Sequence, residues 1–137
     1  DKIVFNSDRG GSPQLFIMDN KGNNIKRISK GRGVYGNPVW SPRGDLIAFT
    51  KLTQGNFHIG VMDTNGNNER VIVRDFSLES PAWSPNGRYL IFHRQKRSNL
   101  DGTGGEVSIH FIDITGYNER VIPTPRDGSD PAWSPLL

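Results

Sequence analysis

The sequence contains no cysteine, no long apolar run and no strong excess of charge of one sign. Without cysteine, the chain can form neither a disulfide bond nor a thiolate metal site. Its longest apolar stretches, such as residues 46–49, are far shorter than the roughly 20 residues that a membrane-spanning helix requires. We therefore expect no membrane span.

The charge pattern also argues against a nucleic-acid partner. The net charge is +3 over 137 residues, and the apolar content of 34% is typical of a globular chain. The densest basic cluster consists of Arg94, Lys96 and Arg97, and no aromatic residues that could stack on bases are interleaved with it. We interpret this cluster as part of a solvated loop, with an anion or nucleic-acid patch as the alternative.

Motifs of catalysis and metal binding are lacking as well. The sequence has no G-x-S-x-G elbow, no H-E-x-x-H, no P-loop and no G-x-G-x-x-G before a helix. His58, His93 and His110 lie on predicted strands, which favours packing over metal or general-base roles. Residues 63–67 resemble the start of a calcium loop, but loop position 12, which needs a bidentate carboxylate, is Arg74. We expect a hairpin turn there, no catalytic residue, no metal and no cofactor.

What the chain does contain is one pattern, repeated three times. A Trp-Ser-Pro motif, an apolar segment with a phenylalanine and a hydrophobic-Asp pair recur in the same order. A fixed order at a period of roughly 40–50 residues is typical of stacked repeats or propeller blades. The tryptophans are Trp40, Trp83 and Trp133, the phenylalanines Phe5, Phe49 and Phe92, and the aspartates Asp19, Asp63 and Asp113.

Each unit is predicted to form four short strands, A to D, with little or no helix. The B strands are nearly continuous apolar runs, which predicts burial on both faces. Turn sequences such as residues 41–44 and 63–66 separate the strands. The predicted A strands are Asn37–Ser41, Ser80–Ser84 and Asp130–Ser134; the B strands Ile3–Asn6, Leu46–Lys51 and Tyr89–Arg94; the C strands Gln14–Asp19, Phe57–Asp63 and Val107–Asp113; and the D strands Ile25–Ser29, Glu69–Val73 and Asn118–Ile122.

The third unit is longer than the others. Phe49 and Asp63 are 14 residues apart, whereas Phe92 and Asp113 are 21 apart, so the third unit has seven extra residues. They lie in Gln95–Gly105, a stretch rich in glycine and polar residues. Insertions of this kind map to loops, often on one functional face of a repeat protein.

The repeated P-(A/V)-W-S-P-x-G motif, the apolar strand ending in phenylalanine and the M-D-x-x-G-x-N segment resemble the repeat of TolB-type β-propellers. The resemblance covers the whole chain and implies an all-β fold of about three four-stranded blades, half of a six-bladed ring. The final seven residues, 131–137, resemble the C-terminal end of this family's propeller. The same repeat also occurs in the propellers of prolyl-oligopeptidase-like and tricorn-like peptidases.

The predicted domain, residues 1–137, is a partial propeller with complementary ends. Residues 1–29 supply strands B to D of one blade, 37–73 and 80–122 form complete blades, and 130–134 form a closing strand A. The last unit has a strand A but no strands B to D, and the first residues supply strands B to D without a strand A. We hypothesise that two chains complete each other as a homodimer of two half propellers with C2 symmetry.

The resemblance implies a non-enzymatic interaction module of the periplasmic Tol–Pal system. Its implied partner is Pal, the peptidoglycan-associated lipoprotein, with other Tol proteins and bacteriocins as further partners. The implied roles are outer-membrane integrity, cell division and bacteriocin import. The alternative is the substrate-gating propeller of a serine peptidase whose catalytic domain is absent.

The strand order predicts that the B–C and D–A loops share one face of the propeller. This face collects basic and aromatic residues, and arginine and aromatic side chains are what protein interfaces favour. The predicted partner-binding residues are Arg9, Lys30, Arg32, Tyr35, Phe76, Lys96, Arg97 and Arg126.

Overall fold

The computed structural model describes residues 1–136, which form eleven β-strands in three antiparallel sheets. No helix occurs in these residues, and hence none that could cross a bilayer. The all-β prediction is confirmed, and the propeller is not closed by this chain. The strands are β1 (Lys2–Ser7), β2 (Gln14–Asp19), β3 (Lys26–Arg27), β4 (Val34–Trp40), β5 (Leu46–Thr53), β6 (Asn56–Asp63), β7 (Arg70–Asp75), β8 (Leu78–Trp83), β9 (Tyr89–Gln95), β10 (Val107–Asp113) and β11 (Arg120–Ile122).

Each sheet is a simple meander in which every strand pairs with the next one in sequence. The first sheet is β1-β2-β3, the second β4-β5-β6-β7 and the third β8-β9-β10-β11. β4 contacts β1 and β2 of the first sheet, and β8 contacts β4 and β5 of the second, so the first strand of each four-stranded sheet lies against the preceding sheet. This is the arrangement of propeller blades around an axis, with the predicted A strands β4 and β8 innermost.

The middle sheet is buried on both faces, as its apolar strands predict. On β5, Ile47 and Phe49 pack with Leu15 in a cluster that joins the first and second sheets. The intervening Ala48 faces the other way and packs with Phe92 in the cluster that joins the second and third sheets. Because side chains alternate along a strand, a continuous apolar run supplies both cores.

A backbone irregularity recurs where the predicted A strands begin. Asn37, Ser80 and Asp130 each precede a proline and each adopt a positive φ, of 46°, 54° and 51°. The pairing register of β4 shifts between Gly36 and Val39 at this point. A following proline disfavours the right-handed helical region at all three positions, and the asparagine and aspartate at two of them tolerate the left-handed one, which favours a bulge.

The predicted closing strand, Asp130–Ser134, is the one that the described chain does not form. Strands β4 and β8 pair with the strands that follow them, and no strand follows residue 134 in the described residues. The segment instead lies beside the third sheet. Ser80 Oγ donates to Asp130 Oδ1 at 2.6 Å, and Asp130 N donates to His93 Nδ1 at 3.2 Å.

Close packing between sheets depends on a glycine in the β6–β7 hairpin. Gly66 has a φ of +78°, and a Cβ atom there would overlap the carbonyl oxygen of Ile28 in the preceding sheet. Gly22 occupies the same turn position in the β2–β3 hairpin with a φ of +81°, but a Cβ there would meet nothing within 4 Å. The two glycines therefore share a backbone conformation and differ in their inter-sheet contact.

This pair allows the inter-sheet contact to be measured separately from backbone strain. We expect Gly22→Ala to lower the free energy of unfolding by about 1 kcal/mol, the cost of a left-handed alanine. Gly66→Ala should lower it by about 3 kcal/mol or more, because the hairpin must also move off Ile28. Urea unfolding followed by tryptophan fluorescence measures both. Equal losses in the two variants would contradict this account of the packing.

Candidate partner-binding face

One edge of the three sheets carries the predicted B–C and D–A connections, and we call it the loop edge. Val34 at the start of β4 pairs with Leu52 near the end of β5, so the connection before β4 lies beside the one after β5. Likewise, Gln95 N donates to Ser77 O at 3.2 Å, which joins the corresponding connections of the third sheet. The loop edge consists of residues 8–13, 28–33, 54–55, 76–77, 96–106 and 123–129.

Two predicted binding residues, Phe76 and Arg97, lie together on the loop edge. The Arg97 guanidinium carbon lies 4.2 Å from the centre of the Phe76 ring, and Phe76 is 38% exposed. Stacking on a ring restricts the guanidinium while leaving its edge N–H groups available. An arginine fixed over a half-exposed aromatic ring is the type of anchor that dominates many protein interfaces.

The other predicted residues are dispersed along the same edge. Arg9 is exposed and lies over two rings of the first sheet, 5.2 Å from Phe5 and 4.9 Å from Phe16. Lys96 is exposed and its Nζ lies 3.9 Å from Glu106 Oε2, a weak surface pair.

Three further predicted residues lie at the sides of the loop edge. The Lys30 ammonium donates to Asn67 Oδ1 in the β6–β7 hairpin, so it is directed at the neighbouring sheet. Arg32 and Arg126 are exposed in the connections on either side of the complete sheets. Their role in binding stays a prediction.

Tyr35 is the predicted binding residue whose assumed exposure is wrong. Its side chain is fully buried between the first and second sheets, and its hydroxyl donates to Glu69 Oε2 at 2.7 Å. Lys51 Nζ donates to Glu69 Oε1 at 2.7 Å and lies 4.8 Å from the tyrosine ring centre. Burial raises the pKa of the Tyr35 hydroxyl. Tyr35 therefore joins two sheets and cannot touch a partner.

A second, partly buried polar network links the second and third sheets. Arg94 donates to Asp75 at the end of β7 and to Glu119 just before β11. His110 Nδ1 lies 2.9 Å from Glu119 Oε1, and its Nε2 lies 2.9 Å from Ser108 Oγ. Burial, followed by the positive charge of Arg94, lowers the pKa of His110. Arg94 thus connects carboxylates of two adjacent sheets.

The sequence also contains a pattern that indicates these two networks and that lies outside the motifs described above. Lys51 and Arg94 each follow the repeated phenylalanine by two residues, and Glu69 and Glu119 each follow the repeated aspartate by six. Because opposite charges recur at the same positions of two units, they indicate that an ion pair of the same geometry forms within each sheet. Both pairs form in the structure.

The hairpin interpretation of the calcium-like segment agrees with the structure. Asp63 Oδ1 accepts hydrogen bonds from Asn65 N at 2.9 Å and from Asn67 N at 2.8 Å. The bond from Asn67 is the main reason that the pKa of Asp63 is lowered. Within residues 1–136 no group of three or more metal-ligating side chains occurs.

The repeated Trp-Ser-Pro motifs line an apolar groove of about 540 Å³ beside the innermost strands. Trp83 is 7% exposed and its Nε1 donates to Val39 O at 2.9 Å, which fixes it between two sheets. Trp133, its counterpart in the unpaired last segment, is 41% exposed. The groove wall is therefore more exposed at Trp133 than at Trp83.

Comparison with known families gives one match across the entire chain. Residues 1–137 match the family model described as the TolB beta propeller domain. A relative from Gluconobacter oxydans (strain 621H), named Tol-Pal system protein TolB, is 55% identical over 76 residues. That alignment covers 56% of this chain and 17% of the relative, so the chain corresponds to a small part of such a protein's length.

Solved structures agree on the fold. The match with TolB from Acinetobacter baumannii covers 99% of this chain and 35% of that structure, with a TM-score of 0.82 at 24% identity. The match with a structure described as putative TolB from Agrobacterium tumefaciens covers 98% of this chain and 50% of that structure, with a TM-score of 0.79 at 21% identity. The match with the tricorn protease covers 90% of this chain and 12% of that structure, with a TM-score of 0.66 at 18% identity. At these identities the structures show the fold alone.

The network around His110 predicts a pH dependence of stability. Because the pKa of His110 is lowered from 6.5 in the folded chain, the unfolded chain binds this proton more readily. Stability should therefore be complete above about pH 6.5 and decline as the pH falls below it, before the aspartates lose their contribution near about pH 4. We expect His110→Gln to remove most of this decline.

Urea midpoints measured at several pH values between about 7.5 and about 5 test this prediction, within the range where histidine titrates. The control is His58→Gln, which alters a buried histidine of the second sheet that makes no hydrogen bond to Arg94 or Glu119 in the described residues. It should keep the decline. A His110→Gln variant with the full pH dependence would refute the assignment.

Proposed function

Because the chain belongs to the TolB β-propeller family, we propose that it is a non-enzymatic interaction module of the Tol–Pal system in the periplasm. It binds the lipoprotein Pal through the loop edge, supports outer-membrane integrity and cell division, and is exploited in bacteriocin import. The observation that carries the proposal is the 55% identity, over 76 residues, to a protein named for the Tol–Pal system.

The chemistry of the loop edge supports a protein partner. Phe76 and Arg97 combine an exposed apolar ring with a cation whose orientation is fixed, and little side-chain entropy remains to be lost on binding. Arg9 also stacks over Phe5 and Phe16 on the first sheet, although the Phe16 ring is buried. Arginines stacked on rings along one edge suit a broad, shallow contact rather than a small-molecule pocket.

We favour this proposal over a peptidase propeller. The similarity to the tricorn protease is 18% identity, which concerns the fold alone, whereas the Gluconobacter relative shares more than half of its aligned residues. Ser108, His110 and Glu119 follow one another in the order of a nucleophile, a base and an acid. Here, however, the imidazole is buried against Phe92 and Arg94 binds Glu119, which suits a structural network.

We further propose that two copies of this chain close one ring. The outer edge of β1 has no partner strand within residues 1–136, and Ile3 on it is 41% exposed. In the complete sheets the repeated tryptophan pairs with the residue two before the repeated phenylalanine, as Trp83 pairs with Leu90. By this rule Trp133 of one copy would pair with Ile3 of the other, and both would become buried.

The Pal proposal predicts a specific effect of the arginine–phenylalanine pair. Binding of purified Pal to this chain should weaken about tenfold or more in Arg97→Glu and in Phe76→Ala, the loss expected of an interface anchor. Lys21→Glu is the matched charge reversal on the opposite edge and should leave the affinity unchanged. Isothermal titration calorimetry measures all three. Equal effects of Arg97→Glu and Lys21→Glu would show a general charge effect instead.

The ring-closure proposal predicts a dimer that depends on the edge of β1. Sedimentation equilibrium should give twice the mass of one chain at micromolar concentration. Ile3→Lys should give monomers, because a buried lysine on the pairing edge is costly. Ile25→Lys, at an exposed position in the β2–β3 hairpin, is the control and should remain dimeric. A monomeric wild-type chain would disprove closure by a second copy.

A further inference from the structure

The β9–β10 connection is the part of the loop edge that the repeat does not account for. We call residues 96–106 the finger. The corresponding β5–β6 connection is a two-residue turn, Gln54–Gly55. The finger therefore extends beyond the neighbouring connection and gives the third sheet a protrusion that the second lacks.

Hydrogen bonds within the finger hold its tip in one shape. Asn99 N donates to Thr103 O at 2.7 Å, and Gly102 N donates to Asn99 O at 3.0 Å, which closes a β-turn. Thr103 Oγ1 donates to Asp101 Oδ1 at 2.7 Å and accepts from Asn99 Nδ2 at 2.9 Å. Below the turn, Ser98 and Gly104 form a β-bridge. A tip satisfied by its own bonds is ordered before it meets a partner.

The turn presents one apolar side chain to solvent. Leu100 occupies the second position of the turn and is fully exposed, the most exposed large hydrophobic residue among those described. The polar groups around it are already bonded to one another within the turn. An ordered loop with a single leucine at its tip has the form of a plug for an apolar pocket.

The base of the finger supplies a charge at a fixed distance from this leucine. Arg97 stacks on Phe76, and no acceptor for its guanidinium occurs within residues 1–136. Leu100 at the tip of the turn follows this fixed cation by three positions in the sequence. A guanidinium with free N–H groups pairs best with a carboxylate, in a two-bond fork.

We propose that the finger is a docking element for a protein partner, in which Leu100 enters an apolar pocket and Arg97 pairs with a carboxylate at the rim of that pocket. The partner must therefore present a pocket of leucine size beside an aspartate or glutamate. This inference rests on the proposed function, since it takes Pal as that partner and adds how the contact is made.

Affinity measurements with the soluble domain of Pal test the inference. Leu100→Ser should weaken binding about tenfold or more, because a buried leucine side chain is lost from the contact. Leu100→Met, which keeps an apolar side chain of similar volume, should restore most of the affinity. Tyr117→Ser removes an exposed apolar side chain from the opposite edge and should have no effect. Urea unfolding of each variant confirms that the fold is intact.

Each outcome decides the matter. Weaker binding by Leu100→Ser alone, restored by Leu100→Met, supports the finger as a docking element. Unchanged binding by Leu100→Ser, with Arg97→Glu still defective, overturns the finger and leaves the proposed function standing. Absence of any binding between Pal and the wild-type chain overturns both proposals.

Discussion

A sheet with two apolar faces is stable only when both of them are covered, and the whole molecule follows from this requirement. The second sheet meets it through Ile47 and Phe49 on one side and Ala48 on the other. The first and third sheets each have one neighbour in this chain. Their remaining apolar positions, among them Ile3 and Trp133, stay partly in solvent. The exposed ends are thus a direct result of the same pattern that builds the core.

Much of the fold could be read from the sequence because its signals are local. The strands β2 and β10 coincide with the predicted Gln14–Asp19 and Val107–Asp113, since alternation and turn residues bound both. The segment Asp130–Ser134 has a local sequence similar to those of β4 and β8 but forms no strand in the described residues. Strand formation there requires hydrogen-bond partners from elsewhere, and a local pattern does not specify them.

The candidate site was predictable only in part, for a related reason. Loop position placed Phe76 and Arg97 on one face, and their stacking is a contact between neighbouring connections. Tyr35 begins a strand, and its hydroxyl is bound by Glu69, which is 34 residues away in sequence. Whether an aromatic residue near a strand end faces solvent or a neighbouring sheet depends on such distant partners. The apolar tip of the finger carries no sequence motif, because one leucine in a polar loop does not by itself indicate that it is exposed.

The self-contained hydrogen bonding of the finger also bears on how such a chain can change over generations. The bonds that shape Asn99–Thr103 come from within the segment, so its length and sequence can vary with little consequence for the sheets. The entropic cost of lengthening a closed loop rises only slowly with its length. A repeat protein built in this way can acquire a new specificity in one connection while the inherited core remains under separate selection.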